Sequence, residues 1–368
     1  MPSIWRNLFA DSTDLDSRLS ELLQPLRRLL SSLATAETLA GQKRLQAELA
    51  TALLDYQLPG WLVCELISEH NDHLYRLAIE QTLDEMLAEG WGEPPLAFCV
   101  LVMGSGGRHE SLLHPDQDNA LIIDSYPPQR HNEIDPWFLT LAEGFTRRLD
   151  SAGIPLCKGE VMASRPLWRK PINDWRAQMS LWMASRKVKL VQQCNILFDF
   201  SPVYGDPALA QQLRDAVMEQ VPTAGLFLHE MAELFDEAPV ALDRFERLQG
   251  DGREAPHSDA INLKRQGLLP LTASLRRLAL QHDCREVGSR SRLDALAAAG
   301  ALKPGEARAL KAVFGRLLER LLLTQLETLD QGRKPDNWID LRCLSHAEQE
   351  QLKLDLKRVR QLQRIAAA

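Results

Sequence analysis

An apolar run that passes without a spacer into a glycine-rich bend dictates most of what this chain can be. Residues 97–103 read AFCVLVM, and Gly104, Ser105, Gly106 and Gly107 follow at once. A continuous apolar stretch closed by glycine is the pattern of a strand covered on both faces. Glycine in turn lets the backbone turn sharply and approach a ligand closely. Asp116 and Asp118 come next and open a second apolar run, Ala120 to Ile123. Alternate residues of a strand point to one face. The two carboxylates are therefore predicted side by side, across from the bend.

That arrangement has a chemical meaning. Mg²⁺ (or Mn²⁺) is held by a few carboxylates and completes its shell with water and phosphate oxygens. Backbone N–H groups at a bend, with the Ser105 hydroxyl, are donors for phosphate. The reading assigns Gly104, Ser105 and Gly106 to phosphate, Arg108 to a supporting positive charge, and Asp116 and Asp118 to metal and catalysis. Other motifs fail on spacing. GxxxxGK[ST] is absent, and His109 stands where a dinucleotide fingerprint needs its third glycine. An EF-hand loop would need glycine after its third ligand, and Leu113 breaks HExxH. Glu110 is expected to pair with Arg108 or a later arginine, and His114 to be a solvated loop residue.

Around this motif the pattern is helical. Leu19, Leu22, Leu23, Leu26, Leu29 and Leu30 follow the helical period, with Asp14 or Ser17 as cap. Further helices are expected at about 36–55, ending before Pro59-Gly60, at about 70–89, and at 132–151. Residues 154–163 are read as a third strand carrying Glu160, and 186–200 as a helix or a helix followed by a strand. Beyond Pro207 only helices are expected: 207–220, 223–237, 268–283, 290–299, 304–331 and 345–364. Ser345 with Glu348 is a capping-box pattern, and Pro304 fits a first helical turn. Residues 250–258 are read as a loop. Trp168, Trp175 and Trp182 recur every seventh position and are assigned to core packing. The division is 1–90 N-terminal helices, 91–206 the site-bearing domain and 207–368 a C-terminal helical domain.

Composition narrows the function class. A net charge of −7 argues against coating nucleic acid by bulk electrostatics. No apolar run is long enough for a membrane helix, and the first residues lack the layout of a secretory signal, so a cytoplasmic chain is expected. The six cysteines are widely spaced and read as free thiols.

GSGGRHESLLHPDQDNALII resembles the signature of the bacterial nucleotidyltransferases related to the PII-uridylyltransferase. CKGEVMASRPLW (157–168), FDFSPVYGD (198–206) and INLKRQGLLPL (261–271) look like other landmarks of that family. The resemblance covers roughly residues 70–365, without the CBS and cyclic-nucleotide modules often fused to such domains. It implies an α+β, polymerase-β-like nucleotidyltransferase domain with a small mixed sheet, flanked by N-terminal helices and a C-terminal helical bundle. It also implies Mg²⁺-dependent transfer of an NMP from an NTP to an acceptor hydroxyl, on a protein held by the helical domain. A third carboxylate on a later strand is part of the wider pattern; Glu160 and Asp199 are the candidates. Lys264 and Arg265, within a landmark, are candidates to reach nucleotide or acceptor, and Lys158 is a weaker one. Two other readings stay open: a non-catalytic nucleotide sensor or partner-binding module, and a nucleic-acid-modifying enzyme, against which the acidic charge counts. The apolar helical N-terminus leaves room for a homodimer.

Overall fold

The computed structural model describes residues 38–184, 195–237, 239–250 and 255–368, with isolated positions between 24 and 36. The chain divides into two compact units. One holds residues up to Trp175 together with Phe200–Gln212; the other holds Arg176–Asp199 and Leu213–Ala368. The leucine-rich helix expected before residue 31, and its caps, fall almost wholly outside the described residues, as does Cys194.

The first unit opens with two helices, α1 (Leu39–Asp55) and α2 (Gly60–Ala88). Thr38 caps α1, its hydroxyl accepting from Gly41 N at 3.1 Å. Pro59-Gly60, expected as a break, is where α2 begins, with Pro59 as its N-cap. The helix predicted from about residue 70 therefore starts earlier. Val63, Cys64, Leu66 and Ile67 are buried and extend its core face backwards, and a proline at the cap position has no N–H to lose.

A four-stranded sheet follows in the order β3-β2-β1-β4. The central strands are β1 (Phe98–Met103) and β2 (Asn119–Ile123), every residue buried, as the apolar runs predict. They pair antiparallel, and β4 (Phe200–Gly205) pairs antiparallel with β1 on its other side. The one-turn helix α3 (Gly104–Gly107) follows β1, and α4 (His131–Ala152) follows β2. The outer strand β3 is Arg169–Pro171, parallel to β2. The third strand is thus not at 154–163. That segment meets the start of β2 through an isolated bridge from Leu156 to Gln117 and through Asn119 N donating to Val161 O at 3.0 Å, but it forms no strand, because it turns back on itself at 157–160, where Glu160 N donates to Cys157 O at 3.0 Å. Helices α2 and α4 cover one sheet face, where Leu74, Ala78, Phe138, Leu141 and Phe145 pack on Val100, Leu121 and Ile123.

The crossing of α2 and α4 is close. A Cβ on Gly144 would lie 2.3 Å from Thr82 Cγ2. Helix α1 docks on α2 through a polar cluster. Lys43 Nζ donates to Asn71 Oδ1 at 3.1 Å, and Gln46 Nε2 meets His70 Nδ1 at 3.1 Å. No carboxylate joins Lys43 among the hydrogen bonds of this cluster, and burial of its amine holds its pKa down at about 7. Burial, then the nearby Lys43, pushes His70 down to about 3.

The helix α5 (Ile172–Met183) begins after Trp168, so the three tryptophans do not share one helix. All three are buried. Trp168 and Trp175 have ring centroids 6.3 Å apart, and Trp175 Nε1 donates to Leu121 O at 3.1 Å.

The second unit is helical, with α6 (Pro207–Gln220) running into it from the first. Its other helices are α7 (Gly225–Glu233), α8 (Leu269–Gln281), α9 (Ser289–Ala298), α10 (Pro304–Asp330) and α11 (His346–Ala367). Ser345 and Glu348 form the expected capping box. A correction is needed to the all-helical expectation: β5 (Ala260–Asn262) and β6 (Trp338–Asp340) pair antiparallel. Strands this short carry too few residues for a period-two pattern to show. The molecule is helix-dominated with a small mixed sheet. Among the described residues, no helix is long and apolar enough to cross a membrane.

Two predictions follow from this packing. Gly144→Ala gains about 1 kcal/mol of helix propensity, but overlap with Thr82 costs about 1–3 kcal/mol, so chemical denaturation is expected to show a net loss of stability. Lys43 keeps its amine neutral down to about 7 in the folded protein, whereas the unfolded chain binds that proton up to about 10.4. Between those values the unfolded state holds more protons, so this contribution to stability rises with pH. Lys43→Met is expected to flatten that rise in melting temperatures measured from pH 7 to 10.

Candidate functional site

The site is assembled where β1 ends. Met103 N donates to Asp118 O at 2.8 Å, carrying the β1–β2 pairing to the residue just before β2. The next residue, Gly104, has φ +61, a left-handed conformation that favours glycine. A Cβ at that position would sit 3.0 Å from Asp118 Oδ2. The glycine bend and the second aspartate of the pair are thus in direct apposition, as their spacing predicts. The bend closes tightly: Arg108 N donates to Gly104 O at 3.1 Å and Glu110 N to Ser105 O at 2.8 Å. Ser201 on β4 fixes its far end by donating to Gly107 O at 2.7 Å. Gly106 is needed for packing, since a Cβ there would lie 2.4 Å from Val102 Cγ1. The Ser105 hydroxyl has no hydrogen bond among the described residues and is half-buried.

Two buried amide side chains hold the aspartates by their backbone. Gln117 Nε2 donates to Thr146 O at 2.9 Å and to Ile154 O at 2.7 Å. Asn119 Oδ1 accepts from Ala163 N at 2.8 Å, and its Nδ2 reaches the Tyr75 hydroxyl at 3.4 Å. Gln117 and Asn119 thus point toward the helix-covered side. By strand alternation Asp116 and Asp118 project to the other. Asp116 is exposed and Asp118 half-buried. Such a donor set, hard oxygens with room for water, fits Mg²⁺ or Mn²⁺. Among the described residues no three His, Cys, Asp or Glu side chains gather into a metal site, so phosphate and water would have to complete the shell.

Most of the other predicted residues are engaged with partners of their own. Arg108 and Glu110 pair with each other at 2.6 Å, both side chains largely buried, as expected of Glu110. That leaves Arg108 as a brace of the bend. Glu160, expected on a strand, sits in a turn at φ 58, exposed, with Arg165 Nη2 3.0 Å from its carboxylate. Asp199 is wholly buried in the second unit. Arg276 Nε donates to it at 3.0 Å, and Arg292 Nη2 lies 2.7 Å away. Its carboxylate neutralises guanidinium groups in a core. Lys264 is half-buried and opens a π-helical turn, Lys264–Leu268, in the second unit. Arg265 there takes Asn262 Oδ1 on its backbone N–H at 3.1 Å.

Two neighbours were missed by sequence reasoning. Cys157 is pushed up to about 11 by burial, then by the charge of Asp118 and by its hydrogen bond to that carboxylate. Asp72 of α2 lies 3.2 Å from His109 Nε2, with the imidazole pKa raised, chiefly by that hydrogen bond. Asp72 belongs to no local motif, and Cys157, though it opens the 157–168 landmark, carries nothing there that marks it as a neighbour of Asp118. Only the helical stripe of α2, on which polar Ser68, Asp72 and Tyr75 interrupt the apolar face, hinted that this helix carries more than packing.

Residues 44–189 match the family model described as "Putative nucleotidyltransferase DUF294". Residues 225–368 match the one described as "Putative nucleotidyltransferase substrate binding domain". No curated protein matches the chain.

The different surroundings of the two outlying acids give a test. Asp199→Asn strands buried guanidinium groups, and breaking such a pair costs about 3–5 kcal/mol. Urea unfolding is expected to show a loss of that size. Glu160→Ala, at an exposed pair, is expected to move stability by less than about 1 kcal/mol.

Proposed function

We propose, from the premise that this chain carries a nucleotidyltransferase-family domain followed by that family's substrate-binding domain, that it transfers a nucleoside monophosphate from an NTP to an acceptor hydroxyl on a protein. The hydroxyl oxygen forms a bond to the α-phosphorus, the bond from that phosphorus to the pyrophosphate oxygen breaks, and the hydroxyl proton is released. The observation that carries this reading is the apposition of Gly104 and Asp118, so close that a Cβ on residue 104 would crowd the carboxylate at 3.0 Å.

The residues divide the work by chemistry. The bend from Gly104 to Gly106 presents backbone N–H groups and the Ser105 hydroxyl to the triphosphate. Arg108 is held by Glu110, so it keeps the bend in shape. Asp116 and Asp118 would hold Mg²⁺ or Mn²⁺, which when bound neutralises phosphate charge and polarises the reacting phosphoryl group. Buried Gln117 and Asn119 fix the backbone between and after the two acids, so their carboxylates need little reordering on binding. The helical substrate-binding domain is assigned to the acceptor.

A second reading has its own support. Both candidates for a third carboxylate are engaged elsewhere, Glu160 with Arg165 and Asp199 with Arg276 and Arg292. That favours a protein that binds Mg²⁺-nucleotide with slow or no turnover.

The two readings separate on one preparation. Wild type offered labelled NTPs, Mg²⁺ or Mn²⁺ and a cell lysate is expected to transfer label to a protein. Asp116→Ala/Asp118→Ala is expected to lose transfer by at least about a hundredfold. Wild type that labels nothing while calorimetry detects Mg²⁺-NTP binding identifies the sensor. Wild type that neither labels nor binds sinks both.

A further inference from the structure

We propose that Asp72, on the helix preceding the sheet, is a positioning residue of the nucleotide bend, acting through His109, whose imidazolium supplies the positive charge that Arg108 does not. This rests on the nucleotidyltransferase reading above.

Helix α2 touches both arms of the site with one stripe of side chains. Ser68 Oγ accepts from Ser111 N at 2.8 Å. One turn on, Asp72 Oδ2 lies 3.2 Å from His109 Nε2. Near the next turn the Tyr75 hydroxyl meets Asn119 Nδ2 at 3.4 Å. Positions 68, 72 and 75 share a helix face. The bend's exit and the start of β2 are therefore fastened to the same rigid element, which lies outside the glycine-aspartate motif.

His109 occupies an unusual place within this frame. It has φ 56, a left-handed backbone uncommon outside glycine, though histidine is among the residues that tolerate it best. Its amide donates to Gly106 O at 2.9 Å, so it belongs to the closing of the bend. Its side chain is 38% exposed, whereas that of Asp72 is 10% exposed. A mostly buried carboxylate thus holds one end of an imidazole that remains open to solvent.

The charges around the imidazole come from two elements. On α2 they are Asp72, Glu69 and Glu65, all of which favour its charged form. On its own segment Arg108 is paired with Glu110. That guanidinium is enclosed with its partner, whereas the imidazole, also paired, is 38% exposed and is the more accessible cation of the two beside the glycine bend. Asp72 raises the imidazole pKa above its ordinary value of 6.5. The positive charge is present below that raised value and lost as pH rises through it. Triphosphate affinity follows the same sign, strong on the acid side and weaker on the alkaline side.

Calorimetry with Mg²⁺-ATP and Mg²⁺-UTP from pH 6 to 9 tests this. Wild-type affinity for the nucleotide that binds is expected to fall by up to about tenfold across a midpoint above 6.5, since one unit of pKa coupling is a tenfold change in binding. His109→Gln is expected to bind weakly, and its profile records the nucleotide's own ionisation. His109→Arg, which keeps both the charge and an ion pair with Asp72, is expected to bind tightly with no midpoint beyond that baseline. Asp72→Asn is expected to move the midpoint down toward 6.5, which lost packing alone would not do. If Asp72→Asn does not fold, His109→Arg and His109→Gln still decide the matter. A wild type with the pH profile of His109→Gln, or an Asp72→Asn midpoint that stays in place, overturns this inference and leaves the nucleotidyltransferase reading standing. A wild type that binds no nucleotide at any pH overturns both.

Discussion

Antiparallel pairing of β1 with β2 is the constraint on which the site depends. It runs to Met103 at the end of β1 and to Asp118, one residue before β2, and so decides which residue faces which where the ladder ends. A slip by one residue would turn every side chain of β2 to the opposite face. Asp118 would then point into the helix-covered core, and Asn119 would take its place at the bend. The register is guarded by burial, since all residues of both strands are buried. It is guarded again by Gln117 and Asn119, whose amides find partners only on the helix side. Buried amide groups left unpaired cost more than their hydrogen bonds contribute when made, so the polar pair specifies register more sharply than apolar packing would.

The same logic explains why the bend needs glycine at two positions for different reasons. Gly104 takes a left-handed backbone and stands against a carboxylate. Gly106 has no unusual dihedral, but it packs on Val102 of the strand just left behind. One glycine serves the ligand side and the other the protein side. Arg108 and Glu110 then form a charge pair with little solvent access, which keeps the closing residues in place.

The strands β1 and β2, the bend, the aspartate pair and most helices of the second unit were legible in the sequence. Each is a local pattern: an apolar run, a glycine cluster, an i, i+2 acid pair, a helical period. What escaped reading was fixed by partners distant in the chain. Glu160 is the local exception: it reads as a strand residue until its N–H turns back onto Cys157 O, three residues before it. Asp199 reads as a free acid until Arg276 and Arg292 close on it from α8 and α9. The strands β5 and β6 are too short to carry a period, and only their mutual pairing makes them strands. A carboxylate in the sequence announces a charge, and the tertiary fold alone says whether that charge is already spent on an arginine.

This difference bears on where function can be sought in such a chain. Acidic residues that face protein cations are neutralised by the fold, and Asp199 and Glu110 are of that kind. Asp116 is of the other kind, exposed and with no ion pair to it among the described residues. An exposed acid beside a half-buried one, both carried on a backbone locked by buried amides, keeps negative charge at a fixed place where a cation from solution can arrive. The neighbouring bend keeps backbone donors where that cation's phosphates would lie. The helix α2, before the sheet in sequence, fastens both through Ser68, Asp72 and Tyr75. Geometry at the bend therefore answers to residues well before the motif, and a sequence signature confined to the glycines and aspartates covers only part of the machinery.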